Sequence, residues 1–354
     1  MNHLNVSNSM MIRIIFTSLI CFFSLVSFIN FTGPSYPEKL SEWGIFEGNL
    51  ALLKPGKGLV PYSLNTPLFT DYAEKSRFVR LPAGVSVEYK ANGVLDFPVG
   101  TLLVKTFYYS ADFRKPGQDK DIVETRLLIN EAAGWKALTY VWNDKQKEAF
   151  LEIAGDDRQV TFIDKEGKAQ QVRYVIPNQN QCKGCHNSND RMIPIGPSVA
   201  QLNGDILFQS GKQNQISYWK SHGMMLHVPA LQTIARTAVW NDPKTGDLNA
   251  RARAYLDINC AHCHRREGPA QTSGLFLTMH ENDPTTIGIN KPPVAAGNGS
   301  GGRLVDILPG KATESILWYR MQTNLPGERM PELGRGLLHA EGLALIKEWI
   351  DKMK

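Results

Sequence analysis

A chain of 354 residues is long enough to bury a sizeable core and, at roughly 150 residues per domain, implies two or three domains. Its 39 basic and 34 acidic residues leave a formal charge of +5 that is spread along the chain rather than gathered into basic runs, which excludes a nucleic-acid footprint. The residual positive charge suits weak attraction to an acidic redox protein or an anionic membrane.

The first element is the apolar run "IIFTSLICFFSLVSFINF", Ile14–Phe31, which follows Arg13 and is about the length that crosses a hydrocarbon layer. It is apolar on every face, unlike an ordinary core helix, and predicts a signal peptide or membrane anchor over residues 1–33. Ser24, Ser27 and Gly33 are small but form no A-x-A-like cleavage site, and Ile20 before Cys21 fits a lipoprotein box poorly. With Cys21 assigned to this segment, every other cysteine falls in one of two pentapeptides and none remains to staple the fold. The expected location is the periplasm or the periplasmic side of the membrane.

Residues 34–60 are rich in Pro and Gly and read as an irregular entry. From about residue 61, short stretches rich in Val, Ile, Thr, Tyr and Phe alternate with turn signals: "SRFVRLPAG", "VSVEYKANG", "GTLLVKTFYYS", "VETRLLIN", "KALTYVWND", "EAFLEIAG", "QVTFIDKEG" and "AQQVRYVIPN". They predict an all-β domain over residues 34–175, an antiparallel sandwich or barrel. Trp43, Trp135 and Trp142 would line a recognition surface on it or pack into its core.

Beyond residue 175 the pattern changes to short helices separated by loops, and two regions follow, 176–250 and 251–354. The final segment "HAEGLALIKEWIDKM" sets Leu343, Ile346 and Ile350 at three- and four-residue steps, giving a terminal helix one apolar side. Each region carries one pentapeptide, "CKGCH" at 182–186 and "CAHCH" at 260–264.

Four thiolates from two C-x-x-C pairs are a common zinc set, but that leaves the histidine after each pair without a task, and a long folded stretch separates the pairs. A thioredoxin-like dithiol needs a strand-then-helix context that is missing around Cys260, and it too leaves His186 and His264 idle. C-x-x-C-H is the attachment signature of haem c. Two thiols a few residues apart form thioethers to the haem vinyl groups, and the adjacent imidazole reaches the iron. Cys182 and Cys185 with His186, and Cys260 and Cys263 with His264, are therefore expected to hold two covalently attached haem c groups. His262 occupies a variable position of its motif and is not expected as a ligand. For the second haem, "GERMPELG" offers Met330, in a turn-prone loop before the terminal helix, as the other axial ligand.

Residues 251–354, with "YLDINCAHCH", "LPGKATESILWYRM", "RMPELG" and "EGLALIKEWI", resemble a class I cytochrome c domain. Over nearly all the chain beyond the apolar run, "PYSLNTPLFTDYAEKSRF", "FPVGTLLVKTFYY", "ETRLLI", "GWKALTYVWN", "IPNQNQCKGCHN" and "IGPSVAQLN" resemble an uncharacterised family of bacterial exported diheme c-type cytochromes. The resemblance implies a multidomain fold, an N-terminal all-β domain followed by mainly α, cytochrome c-like haem domains, and a role in electron transfer.

The first haem has no matching Met-Pro loop. Its sixth ligand is expected among Met192, His222, Met224, Met225 and His227, or the position is open. No Ser-His-Asp, paired-carboxylate or phosphate-loop arrangement calls for protein nucleophile chemistry. An electron carrier that exchanges with a small cytochrome or another redox protein is the economical reading. A peroxidase-like enzyme with an accessible first haem, or a scaffold that positions haems at an extracytoplasmic complex, are its rivals.

Overall fold

Alternation of apolar and polar residues at period two builds the N-terminal half of the molecule, described here from a computed structural model that covers residues 36–294 and 296–354. The expected signal or anchor, with Cys21, lies outside the described residues. Strands β1 (Val60–Pro61), β2 (Glu74–Arg80), β3 (Val87–Glu88), β4 (Leu102–Ser110), β5 (Lys120–Glu131), β6 (Gly134–Trp142) and β7 (Ala149–Glu152) follow in order. All but β3 join one antiparallel sheet, ordered β1-β2-β4-β5-β6-β7. The edge strands β1 and β7 do not pair with each other, so the sheet is open and the expected barrel closure does not occur.

A hairpin of β8 (Asp156–Ile163) and β9 (Ala169–Ile176) lies on one face of this sheet. Its Val160, Phe162, Val172 and Tyr174 pack against Phe107, Tyr109 and Val123. Gly167 closes the turn at φ +81°, a conformation that favours glycine. Elsewhere in the sheet Thr106 and Thr125 bond through their hydroxyls at 2.9 Å, and the buried Trp142 donates its Nε1–H to Thr125. Trp142 is thus core and cannot line a recognition surface, whereas Trp43 and Trp135 are half-buried.

The second half consists of α1 (Gln179–Cys185), β10 (Asn187–Ser188), β11 (Arg191–Met192), α2 (Val199–Leu202), β12 (Asp205–Phe208), β13 (Gly211–Asn214), α3 (Gln215–Ser221), β14 (Met225–Leu226), α4 (Leu248–Asn259), α5 (Pro284–Ile287), α6 (Ile316–Gln322) and α7 (Ala340–Asp351). It is less helical than expected, because β10–β11 and β12–β13 form small hairpins and β14 pairs in parallel with β3. The architecture is mixed α/β, with several open sheets and helices.

On α7 the apolar side forms as the spacing predicts, with Leu345, Ile346, Trp349 and Ile350 buried and Leu343 partly so. This side packs on α4 through Tyr255 and Leu256. Gly342 makes the approach feasible, since a Cβ there would collide with the Tyr255 ring. Glu38–Lys354 form one compact unit. Bonds cross the boundaries expected near 175 and 250: the Phe69 N–H donates to Asn259 Oδ1 at 2.8 Å, and Asp71 Oδ1 accepts from the Gly336 and Leu337 N–H groups.

Candidate cofactor site

Helix α1 starts with a reciprocal capping box between Asn178 and Gln181, which fixes the helix register just ahead of the first pentapeptide. Three residues apart on this helix, Cys182 and Cys185 project to one side, and His186 follows at the C-cap with its N–H donated to the Cys182 carbonyl at 2.9 Å. His186 Nδ1 lies 2.7 Å from the Ile193 carbonyl oxygen. An N–H at Nδ1 makes that bond and leaves the Nε2 lone pair free to bind a metal, the arrangement common to histidine ligands.

The second pentapeptide is built in the same way on the end of α4, which is capped by Asp247 accepting from the Ala250 N–H at 2.7 Å. A helical turn carries on past Asn259, with the Cys263 and His264 N–H groups both donating to the Cys260 carbonyl. His264 Nδ1 lies 3.4 Å from Ser273 Oγ.

The fold brings the two motifs together. Cys182, Cys185, His186, Cys260, Cys263 and His264 all line one cavity of about 560 Å³, within the size range of small-molecule and cofactor sites. Burial raises the Cys182 and Cys185 thiols and pushes those of Cys260 and Cys263 up to about 12, Cys185 adding to the shift at Cys263. All four cysteines are free, and as neutral thiols at pH 7 they lack the lowered pKa of a redox dithiol. Burial also lowers His264 and pulls His186 down to about 3, so both imidazoles are neutral donors. Among the described residues no three His, Cys, Asp or Glu side chains converge as a metal cage, so the two pairs do not gather into a four-thiolate zinc site.

Met330 is on the same cavity wall, as is Met321. The Met330 loop is tied down at several points. Its N–H donates to the Arg320 carbonyl at 2.8 Å, and Arg335 Nη1 donates to the carbonyls of Met321 (2.7 Å) and Met330 (2.6 Å). Arg335 is buried and also binds Thr323, and the chain just beyond it is pinned to Asp71. The Met330–Pro331 peptide is cis.

The residues expected to close the first site lie elsewhere, and none lines this cavity. Met192 pairs with Asn187 in the β10–β11 hairpin. His222 is exposed and stacked on Tyr218 at 3.9 Å. Met225 is buried in the apolar cluster with Val87, and Met224 packs against that cluster. His227 is exposed, with Nδ1 2.6 Å from the Glu88 carboxylate. Pairing of β14 with β3 holds this whole segment in place, the Val87 N–H donating to the Met224 carbonyl.

Two histidines that sequence reasoning did not select do line the cavity, His262 and His339. His262 is enclosed in the wall, and burial lowers its pKa to about 4 against the opposing effect of the Ile258 backbone. Its place inside "CAHCH" was the available signal. His339 stacks on Phe69 at 4.1 Å, and its Nδ1 lies 3.0 Å from Tyr255 Oη. No local pattern marks it, because its ring partners Phe69, Tyr72, Trp240 and Tyr255 are dispersed along the chain. The chain matches no family model, no curated protein and no solved structure.

Proposed function

We propose that this chain is an exported diheme c-type cytochrome that transfers electrons between redox partners on the periplasmic side of the membrane. The observation that carries the reading is the convergence of both C-x-x-C-H pentapeptides on one cavity. Cys182 and Cys185 would hold one haem and Cys260 and Cys263 the other, with His186 and His264 as the proximal iron ligands. In each motif the cysteines are unpaired and the histidine is neutral, which is the state the attachment and the ligation require. The helical part that carries them reads as cytochrome c-like.

The haems supply the one-electron redox change, and the chain sets its potential through ligands and local charge. Met330 would supply the second ligand of the Cys260/Cys263 haem, its loop clamped by Arg335. A thioether ligand there would raise the potential of that haem relative to the other and make the pair asymmetric. The natural partner is a small cytochrome or a similar redox protein, and Ile14–Phe31 provides for export or for a membrane tether.

One observation favours a second reading. None of Met192, His222, Met224, Met225 and His227 lines the cavity, so none would reach an iron held by His186 without a local rearrangement. An iron open on one side would suit a peroxidase-like oxidoreductase. Cyanide binding and peroxide turnover, measured on oxidised and half-reduced holoprotein, separate the two. A carrier binds cyanide slowly and exchanges electrons rapidly with a small cytochrome. Rapid cyanide binding with catalytic peroxide consumption contradicts the carrier reading.

A further inference from the structure

The register of the large sheet sets Arg77 on β2 opposite Lys105 on β4, and Lys105 opposite Arg126 on β5. Side chains directly opposite one another share a face and stand about 5 Å apart at Cβ, where like charges repel. All three cations line the cavity that holds the two pentapeptides. The row lies between two apolar clusters on the same face, one containing Val79 and Leu103 and the other Phe107 and Tyr109.

The acids nearby are already engaged. Glu124 forms a fork with Arg126 and also accepts from Tyr174 Oη at 2.6 Å. Asp71 is taken by the Gly336 and Leu337 N–H groups. Arg77 is only 7% exposed, and its Nη2 has no partner among the described residues. Lys105 forms no ion pair among the described residues. Burial, with Arg77, Lys75 and Arg126 adding to it, holds Lys105 well below the usual lysine range.

A buried guanidinium beside a lysine that has, among the described residues, only the Phe107 ring, 4.7 Å from its Nζ, and no ion pair, both facing a cavity, is costly to keep charged unless an anion joins them. Carboxylates match this donor set, taking the planar fork of arginine and the point charge of lysine together. We propose that Arg77 and Lys105, backed by Arg126, form a carboxylate-binding row inside the cavity, and that its ligands are the propionate groups of a haem held there. This rests on the diheme reading above. The row would fix the orientation of the porphyrin edge and neutralise its charge in an apolar wall.

The test uses full-length exported holoprotein whose haem carries 13C-labelled propionate carboxyls, as wild type, Lys105→Met and Lys105→Arg. Lys105 is the first choice because it is half-buried, whereas a substitution at the buried Arg77 risks the fold. Denaturing mass spectrometry counts the attached haems, and redox-difference infrared spectroscopy reads the labelled carboxylate band. The expected result is two haems in every form, a labelled band displaced in Lys105→Met and recovered in Lys105→Arg. The midpoint potential of one haem should also fall in Lys105→Met, by about 59 mV if its reduction equilibrium changes tenfold. An unchanged labelled band with both haems attached overturns the inference and leaves the diheme reading standing. A spectrum that responds to added succinate in wild type but not in Lys105→Met overturns it in favour of a diffusible carboxylate. Absence of covalent haem refutes the diheme reading and the inference together.

Discussion

His339 shows how a single half-buried side chain shapes the chemistry of the cavity wall. Phe69 stacks on it, Tyr72 and Trp240 meet it edge-on, and Tyr255 shares its Nδ1, so there is little room to hydrate a charge. Burial lowers its pKa from about 6.5 to about 4. Between those values the unfolded chain binds the extra proton and the folded one does not, so stability falls as pH drops through the window and is level above it. His339→Phe should flatten this acid limb, by a contribution approaching about 3 kcal/mol at the acid end. Urea midpoints at several pH values between 7 and 4 measure the slope, and an identical slope in both proteins contradicts the assignment. Met330 makes a different residue-scale claim. Met330→Ala should remove the Met-to-iron near-infrared band from one haem and lower that haem's potential, and unchanged spectra would show that the thioether binds no iron.

At the scale of elements, the terminal helix and the α4 helix meet where Gly342 lies against Tyr255. Gly342→Leu inserts a side chain where even a Cβ collides, and should cost about 1–3 kcal/mol by overpacking. Chemical unfolding of holoprotein measures it, and a loss below a few tenths would show that the helices separate easily. The Met330 loop depends on Arg335 in the same manner. Arg335→Met removes the donors to the Met321 and Met330 carbonyls, and should leave part of the second haem without its Met signature while His264 ligation persists. Long strands such as Leu102–Ser110 and Gly134–Trp142 were legible because their aromatic and β-branched residues run between clear turn signals. The hairpin of Asp205–Phe208 and Gly211–Asn214 was not, because "DILF" and "GKQN" are too short to show a period. The apolar side of Ala340–Asp351 was readable from spacing, whereas the clamp on Met330 comes from a long-range contact between Arg335 and backbone that no local pattern encodes.

For the whole molecule, the two pentapeptides could be recognised in the sequence but their common cavity could not, because it depends on how the open sheet and the helices close over one another. Cross-strand register, similarly invisible in one dimension, sets Arg77, Lys105 and Arg126 in a row on that cavity's wall. The segment "SHGMMLH" is rich in residue types that can ligate iron, yet tertiary packing uses its Met225 as core and holds His227 on the surface against Glu88. Covalent haem at both pentapeptides is tested most directly by the intact mass of the exported chain after denaturation. Wild type should exceed its processed polypeptide by two haem masses, and the paired substitution Cys182→Ala with Cys185→Ala should exceed its own by one. Unmodified thiols in the wild-type chain, or a bound zinc ion released on denaturation, would contradict it.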